Sequence, residues 1–222
     1  RVTWDKAFDT MADEFQRVAQ RYGPQAIGVL STGQLVTEEF YTLGKLVQLG
    51  IGTPHYDGNT TLCMSTAVSG YKRSFGSDGP PGAYEDMAKA DVVLLIGANV
   101  AENHPILCMH LDDNPSKTLI VADPRVTKTA MMADLFLPVR PRSDLALVNG
   151  IAHILIRDGL IDRHYIQQHT NGFDDLRPFL EKYHPDYVSG ITGLSTEMIH
   201  QVAHLYGEAK SAFIGWTMGV NH

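Results

Sequence analysis

The chain has 222 residues, of which 44% are apolar and 19% are charged, a composition typical of a globular protein with a sizeable core. Its formal net charge of -7 argues against a nucleic-acid partner and against binding to an anionic membrane surface. No apolar run of about 18 residues predicts a membrane-spanning helix, and two cysteines are too few for a disulfide framework.

Hydrophobic periodicity predicts helices and strands that alternate over the first two thirds of the chain. The predicted elements are, in chain order, a helix ending at Gly23-Pro24, a strand within 26–32, a helix capped by Thr37, a loop over 50–58, a helix over 58–76, and strands within 91–99, 118–125 and 134–141 with helices between them, followed by a long helix over 144–159. This alternation indicates an α/β fold, a mostly parallel Rossmann-like sheet with helices on both faces.

The pattern changes after the long helix and becomes purely helical from 160 to 210. We therefore predict an α/β dinucleotide-binding-like domain over 1–148 and a helical segment over 149–210 that packs on it. Residues 211–222 are expected to be the first strand and turn of a following region. Because the chain begins without methionine and stops soon after this strand, we interpret it as an internal piece of a longer protein.

Polar side chains follow three predicted strands, where ligands bind in open parallel sheets. In the loop 97–105, Gly97 and Ala98 allow close approach to the backbone, whereas Asn99, Glu102 and Asn103 offer hydrogen-bond donors and acceptors. Each loop taken alone is compatible with an ordinary turn. The three loops in series favour a nucleotide-like ligand.

The other two loops, 122–125 and 140–144, each combine an aspartate with an arginine. Asp123 is placed to accept hydrogen bonds from ribose hydroxyls and Arg125 to contact phosphate, and Arg142 and Asp144 repeat this pair. The fingerprint G-x-G-x-x-G is absent, which argues against an ordinary NAD enzyme.

The segment 58–76, GNTTLCMSTAVSGYKRSFG, places Cys63 near the start of a predicted helix. If Thr60 or Thr61 caps this helix, Cys63 lies in its first turn at the positive end of the dipole, which favours a thiolate nucleophile or a soft metal ligand. A buried structural cysteine explains the position equally well. No C-x-x-C pattern accompanies Cys63, no metal-ligand spacing is found among the histidines, and Cys108 is expected in the core.

Three blocks of sequence are similar to a known family. Residues 58–107, which include GNTTLCMSTAVSG and DVVLLIGANVAENHPIL, resemble the molybdenum-ligand segment of bacterial molybdopterin nitrate reductases within the dimethyl sulfoxide reductase family. VADPRVTKTAMMADLFLPVRPRSDLALVNGIAHILI and GWTMGVNH resemble two later blocks of the same family, in the same order. The resemblance covers nearly the whole chain.

The resemblance implies a molybdenum-bis(molybdopterin guanine dinucleotide) cofactor, with Cys63 as the protein thiolate on the metal and Met64 beside it in the catalytic centre. The residues that it implies as cofactor contacts are Asn59, Ile96, Gly97, Ala98, Asn99, Val100, Ala101, Glu102, Asn103, Asp123, Pro124, Arg125, Arg142, Ser143, Asp144 and Met218.

The resemblance also implies the reduction of nitrate to nitrite by oxygen-atom transfer. Formate dehydrogenases of the family usually have histidine at the position of Met64, so this methionine favours nitrate over formate or another oxo-acid. A non-catalytic nucleotide-binding or scaffold domain is the alternative from another class.

The sequence GSDGPPGAY resembles that of the cytoplasmic enzymes of the family more than that of the periplasmic ones. The resemblance does not identify the electron donor, which is ferredoxin, flavodoxin or an NADH-linked subunit. The family's 4Fe-4S cysteine motif and its C-terminal cofactor-binding domain lie outside this sequence, so the piece alone is expected to fold but to be inactive. His222 stands where glutamine is common.

Overall fold

The structure, a computed structural model, describes residues 1–221, and at positions 60 and 61 it describes the backbone only. His222 and the expected capping side chains of Thr60 and Thr61 therefore lie outside the described residues. The chain divides into two compact units, Arg1–Gly70 and Tyr71–His222. This division differs from the expected boundary at 148, which followed the change from alternating to purely helical pattern rather than tertiary contacts.

The first unit opens with helix α1 (Trp4–Tyr22), where Thr3 Oγ1 accepts a hydrogen bond from the Lys6 N–H at 3.3 Å. The helix ends at Gly23, whose φ of 84° suits glycine, as the sequence predicts. The later elements are β1 (Val29–Ser31), α2 (Thr37–Lys45), a π-helical turn (Leu46–Ile51), β2 (Tyr56–Gly58), α3 (Thr60–Cys63) and α4 (Ser65–Phe75). Helix α4 continues past Gly70, the last residue of this unit.

Three expectations for this unit are wrong. The predicted loop 50–58 contains β2, which pairs in parallel with β1 so that Leu30 lies opposite Asp57. A three-residue strand containing Asp and Gly has little intrinsic β signal, and its pairing with β1 is what makes it a strand. The predicted helix 58–76 is interrupted by a bend at Met64, and Thr37 is the first helical residue after the N-cap Val36.

The second unit is built on a four-stranded sheet, and its elements alternate as the sequence predicts. They are α5 (Tyr84–Met87), β3 (Val92–Ile96), α6 (Val100–Asn103), α7 (Pro105–Asp112), β4 (Thr118–Ala122), α8 (Lys128–Met131), β5 (Leu135–Leu137), α9 (Asp144–Arg157), α10 (Arg163–His169), α11 (Phe173–Leu180), α12 (Pro185–Thr192), α13 (Thr196–Glu208), β6 (Ala212–Trp216) and α14 (Met218–Asn221). The strand order is β5-β4-β3-β6, and every neighbouring pair is parallel.

Strand β3 is buried along its whole length because helices cover both faces of the sheet. Its alternate residues face two different apolar clusters: Leu94 packs in a cluster with Leu147 and Ile151 of α9, and Leu95 packs in a cluster with Leu111 of α7. The predicted α/β class with helices on both faces is therefore confirmed.

The sheet contains one strand that the sequence assigned elsewhere. Residues 211–222 were expected to open a following region, but β6 pairs with β3 in the same sheet, with Ile214 opposite Leu94. A strand that pairs with a partner so far away in sequence gives no local signal of that partner. Helix α12 lies within the range 160–210 that was predicted to be helical, whereas the short helix α14 was not predicted. No helix of the described residues is long and apolar enough to cross a membrane.

Candidate functional site

Four strands of the second unit end at one edge of the sheet. Ile96 lies opposite both Ala122 and Trp216, and Ala122 lies opposite Leu137, so the last residues of β3, β4, β5 and β6 are in register. The three loops predicted to hold a ligand follow β3, β4 and β5 at this edge. The structure adds a fourth strand end, that of β6, where Thr217 alone separates the strand from α14 and its first residue, Met218.

Gly97 connects three of these strand ends. Its φ is +59°, its N–H donates to the Ala122 carbonyl at 2.8 Å, and its carbonyl accepts from the Thr217 hydroxyl at 2.5 Å. The Asp144 carboxylate lies beside this turn, since a Cβ added to Gly97 would come 3.9 Å from Asp144 Oδ1 and one added to Gly219 would come 3.5 Å from it. The strand-end loops therefore meet at a carboxylate flanked by two glycines.

The buried Asn99 is held by protein partners. Thr129 Oγ1 donates to Asn99 Oδ1 at 3.0 Å and accepts from the Ala101 N–H at 3.0 Å, and Asn99 Nδ2 donates to the Glu102 carboxylate. Asn99, which was predicted to contact a ligand, thus ties the loop after β3 to α8 through its hydrogen bond with Thr129. Neither Thr129 nor Thr217 was predicted, although each lies within a few residues of a predicted site residue.

Glu102 lies at the rim of this loop. A hydrogen bond from Asn99, followed by the hydrogen bond and charge of Lys128 with Nζ 3.2 Å from Glu102 Oε1, lowers the pKa of Glu102 below its usual range. Arg125 contributes in the same direction. Glu102 is therefore a carboxylate beside two cationic side chains.

The loop after β4 presents an arginine to solvent. Asp123 is buried, and its Oδ1 accepts from the Arg125 N–H at 2.8 Å, which fixes the turn. Pro124 and Arg125 themselves are exposed. This arrangement leaves the Arg125 guanidinium available for an anionic ligand.

The loop after β5 holds a non-glycine residue in the left-handed region: Arg142 has a φ of 69°. Such a conformation costs about 1–2 kcal/mol and is most frequent at functional sites. The next residue, Ser143, is buried and donates its hydroxyl to the Arg140 carbonyl at 2.6 Å, and Asp144 begins α9. The strained turn places the exposed Arg142 two residues before Asp144, the first residue of α9.

Three further predicted residues lie in the first unit: Asn59 as a cofactor contact, Cys63 as the metal ligand and Met64 in the catalytic centre. Asn59 follows β2, its Oδ1 accepts from the Gly33 N–H at 2.8 Å, and its carbonyl accepts from the Cys63 N–H at 2.9 Å. Cys63 is partly buried and is the last residue of α3, whereas Met64 forms the bend before α4. Cys63 thus lies in the single turn of α3 and not at the start of one continuous helix over 58–76, because the chain bends at Met64 and the longer helix α4 starts after it.

Two further expectations concern sulfur and nitrogen ligands. Cys108 packs against the apolar cluster of Leu95 and Leu111, and burial raises the pKa of its thiol, as expected for a core cysteine. The absence of ligand spacing among the histidines is wrong for one pair, since His200 and His204 lie one turn apart on α13 with Asp158 nearby. The i,i+4 spacing was the sequence signal for this pair.

The chain is similar to known proteins along its whole length. Residues 1–222 match the family model described as molybdopterin oxidoreductase. The chain is 42% identical over 225 residues to a nitrate reductase of Synechocystis sp., covering 100% of this chain and 32% of that protein. It is 36% identical to a periplasmic nitrate reductase of Desulfovibrio desulfuricans, covering 99% of this chain and 31% of that protein.

Two further relatives carry other activities in their names. The chain is 33% identical to the alpha subunit of F420-dependent formate dehydrogenase 1 of Methanococcus maripaludis, over 99% of this chain and 32% of that protein. Among solved structures, acetylene hydratase from Pelobacter acetylenicus superposes with a TM-score of 0.75 and 28% identity, over 100% of this chain and 30% of that chain.

The chain thus spans about a third of the length of these relatives. Because the family model matches every residue from 1 to 222, the chain belongs to the molybdopterin oxidoreductase family.

Proposed function

We propose that this chain forms the central, cofactor-holding part of a molybdenum enzyme that reduces nitrate to nitrite. The observation that carries the proposal is the 42% identity to a nitrate reductase along the full length of the chain. The convergence of four strand ends on one edge of the sheet supplies a place for the cofactor's nucleotide portion.

The residues at this edge fit a guanine dinucleotide in their chemistry. Gly97 and Gly219 carry no side chain next to Asp144, so a ligand reaches the backbone there without steric hindrance. The exposed Arg125 and Arg142 supply charge for phosphates, and the Asp144 carboxylate accepts hydrogen bonds from base or ribose donors.

We extend the cofactor contacts to the other predicted positions in the same loops. In this proposal the backbone from Ile96 to Asn103, the turn from Asp123 to Arg125, the turn from Arg142 to Asp144, and Met218 hold one dinucleotide in register with the sheet edge. The hydrogen bonds of Asn99 and Ser143 keep these turns in a fixed conformation before the ligand binds, which lowers the conformational cost of binding.

Cys63 is the proposed protein ligand of the molybdenum. A thiolate is a soft, charged donor, and the backbone hydrogen bond from Cys63 to Asn59 ties its position to the end of β2. The bound cofactor supplies the chemistry that converts nitrate, two electrons and two protons into nitrite and water. The chain's own part is to orient the cofactor through Asn59 and Cys63 and to place Met64 beside the substrate.

The proposed electron supply runs through a 4Fe-4S cluster in a part of the enzyme outside this sequence, from ferredoxin, flavodoxin or an NADH-linked subunit. We assign the enzyme to the cytoplasm because the sequence GSDGPPGAY resembles that of cytoplasmic members of the family. The periplasm is the alternative, because one relative is named a periplasmic nitrate reductase. Fractionation of the host cells followed by a nitrate reductase assay decides between the two compartments.

The main alternative is a formate dehydrogenase, since one relative has that name. Assays of the full-length enzyme with a redox dye and either nitrate or formate separate the two functions. We expect nitrate-dependent dye oxidation and no formate-dependent dye reduction; the reverse pattern would assign the enzyme to formate.

The alternative from another class is a scaffold domain without the metal. Replacement of Cys63 by Ser in the full-length protein tests it, with Cys108→Ser as the matched control outside the site. We expect loss of activity only in the Cys63 variant. Unchanged activity and unchanged molybdenum content in that variant would leave the scaffold function. For the 222-residue piece alone we expect a folded, inactive chain with little molybdenum, and stoichiometric molybdenum by elemental analysis would contradict this.

A further inference from the structure

A second group of metal-ligating side chains lies at the end of helix α9 and on helix α13, among residues that the cofactor site does not use. It consists of Asp158, the residue directly after α9, and of His200 and His204 on α13. One ligand atom from each of the three lies within 4.8 Å of the others. We propose that these three side chains bind a divalent cation of the zinc class and thereby join α9 to α13.

The spacing of the histidines fits this role. Residues four apart in a helix lie on the same face, so His200 and His204 present their rings side by side. Asp158 completes the set from outside this helix: His204 Nε2 lies 2.9 Å from Asp158 Oδ2. Two imidazoles and one carboxylate are a ligand set that zinc uses when it keeps one position open.

A hydrogen bond outside the ligand set also supports the assignment. The other ring nitrogen of His204, Nδ1, lies 2.8 Å from Glu208 Oε1. A histidine that ligates a metal through one nitrogen commonly donates its other N–H to a carboxylate, which fixes the tautomer and orients the ring. Glu208 therefore holds His204 with Nε2 directed at Asp158, as a metal ligand requires.

The position between Asp158 and His200 already attracts a cation, namely the guanidinium of Arg157. Its terminal nitrogen lies 2.8 Å from Asp158 Oδ2 and 3.4 Å from His200 Nδ1. The Arg157 side chain is 42% exposed, so it is able to swing into solvent. A metal ion that replaces this guanidinium would bind the same two atoms, Asp158 Oδ2 and His200 Nδ1, and His204 Nε2 as a third ligand.

The remaining surroundings are compatible with a bound ion. In a tetrahedral zinc site the ligand atoms lie about 3.4 Å apart, so the observed spread closes with a small rotation of the exposed Asp158 and of the two partly buried histidines. A pocket of about 740 Å³ lined by His200, His204 and Glu197 lies beside the group and leaves room for a water molecule as the fourth ligand. Glu197 adds negative charge near His200.

The nitrogen ligands define the kind of metal. Imidazole suits zinc, nickel and copper, whereas magnesium and calcium prefer oxygen ligands. We therefore expect zinc to bind the chain and to raise its melting temperature further as the free zinc concentration rises above the dissociation constant. We expect a large excess of magnesium to leave zinc binding unchanged.

The test is zinc titration of the purified chain, followed by isothermal calorimetry and by thermal unfolding. His200→Ala and His204→Ala are each expected to weaken zinc binding more than tenfold, and Glu208→Gln about tenfold. His164→Ala, which removes an exposed histidine on α10, is the matched control and should bind zinc as the wild type does. Circular dichroism verifies that each variant is folded.

Arg157→Gln gives a test in the opposite direction. Because it removes the competing guanidinium, this variant is expected to bind zinc several-fold more tightly than the wild type. Equal affinity in the wild type and the His200 and His204 variants, or weaker binding after loss of Arg157, would overturn the proposal. Cys63→Ser separates this site from the molybdenum site, since it should leave the histidine-dependent binding event unchanged.

Discussion

The hydroxyl of Thr217 donates to the backbone carbonyl of Gly97 at 2.5 Å and joins the end of β6 to the end of β3. The two residues are separated by 120 positions in the sequence, yet their strands end in register, with Ile96 opposite Trp216. This contact makes the end of β6 part of the candidate cofactor site and gives the first prediction.

Replacement of Thr217 by Val removes the hydroxyl and keeps the shape of the side chain. We expect the free energy of unfolding to fall by about 1 kcal/mol, because the Gly97 carbonyl loses its hydrogen-bond donor. Urea denaturation followed by circular dichroism measures the change. Thr217→Ser retains the donor and is the control; an equal loss in both variants would show that the methyl group, not the hydroxyl, is what matters.

Gly97 is predicted to tolerate alanine poorly for a reason of backbone conformation alone. Its φ is +59°, and a Cβ there would meet no atom closer than Asp144 Oδ1 at 3.9 Å. We therefore expect Gly97→Ala to destabilise the chain by about 1–2 kcal/mol without a steric clash. Gly219→Ala is the matched control, since Gly219 borders the same carboxylate without a positive φ. Similar unfolding midpoints for the two variants would contradict the argument.

Glu102 is expected to give a pH-dependent contribution to stability. Its folded pKa is lowered, first by Asn99 and then by Lys128, so its stabilising effect is present above its ordinary pKa of 4.5 and is lost as the pH falls through the folded value. Glu102→Gln should therefore lower the melting temperature at neutral pH, with a difference that disappears in acid. Thermal unfolding at low salt over this pH range checks the sign, and a difference that grows in acid would contradict it.

The contact between α9 and α12 leaves no space for a side chain at Gly150. A Cβ there would lie 2.8 Å from Cγ2 of Val188, which is fully buried. We expect Gly150→Ala to cost about 1–3 kcal/mol through overpacking. Gly190→Ala, in α12 with no atom within 4 Å of its added Cβ, is the control and should be neutral or stabilising, as alanine favours helix. Denaturant titration of the pair compares them directly, and equal effects would exclude overpacking as the cause.

Much of the fold follows from local patterns in the sequence. The buried strand β3 is announced by a continuous run of Val, Leu and Ile, and the end of α1 by Gly23-Pro24. Strand β2 has no such pattern, because its existence depends on pairing with β1. Whether a short segment forms a strand depends on a pairing partner that is distant in sequence, and the periodicity within the segment gives no information about that partner.

The residues of the candidate site likewise fall into those that the sequence predicted and those that only the structure revealed. The sequence identified the loops after β3, β4 and β5 because Asp, Arg and Asn at strand ends are unusual for a core. It did not identify Thr129 or Thr217, whose hydroxyls matter only through the backbone and side-chain groups that the fold brings to them.

The sequence by itself determined the α/β class, the strand-end loops and the family, since hydrophobic period and short motifs are properties of consecutive residues. Only the tertiary structure decided that β6 completes the sheet of β3, that Asp144 lies beside Gly97 and Gly219, and that Asp158 lies beside His204. These relationships join residues far apart in the chain. They arise from parallel pairing and helix packing, which place distant segments side by side without leaving a local sequence signal.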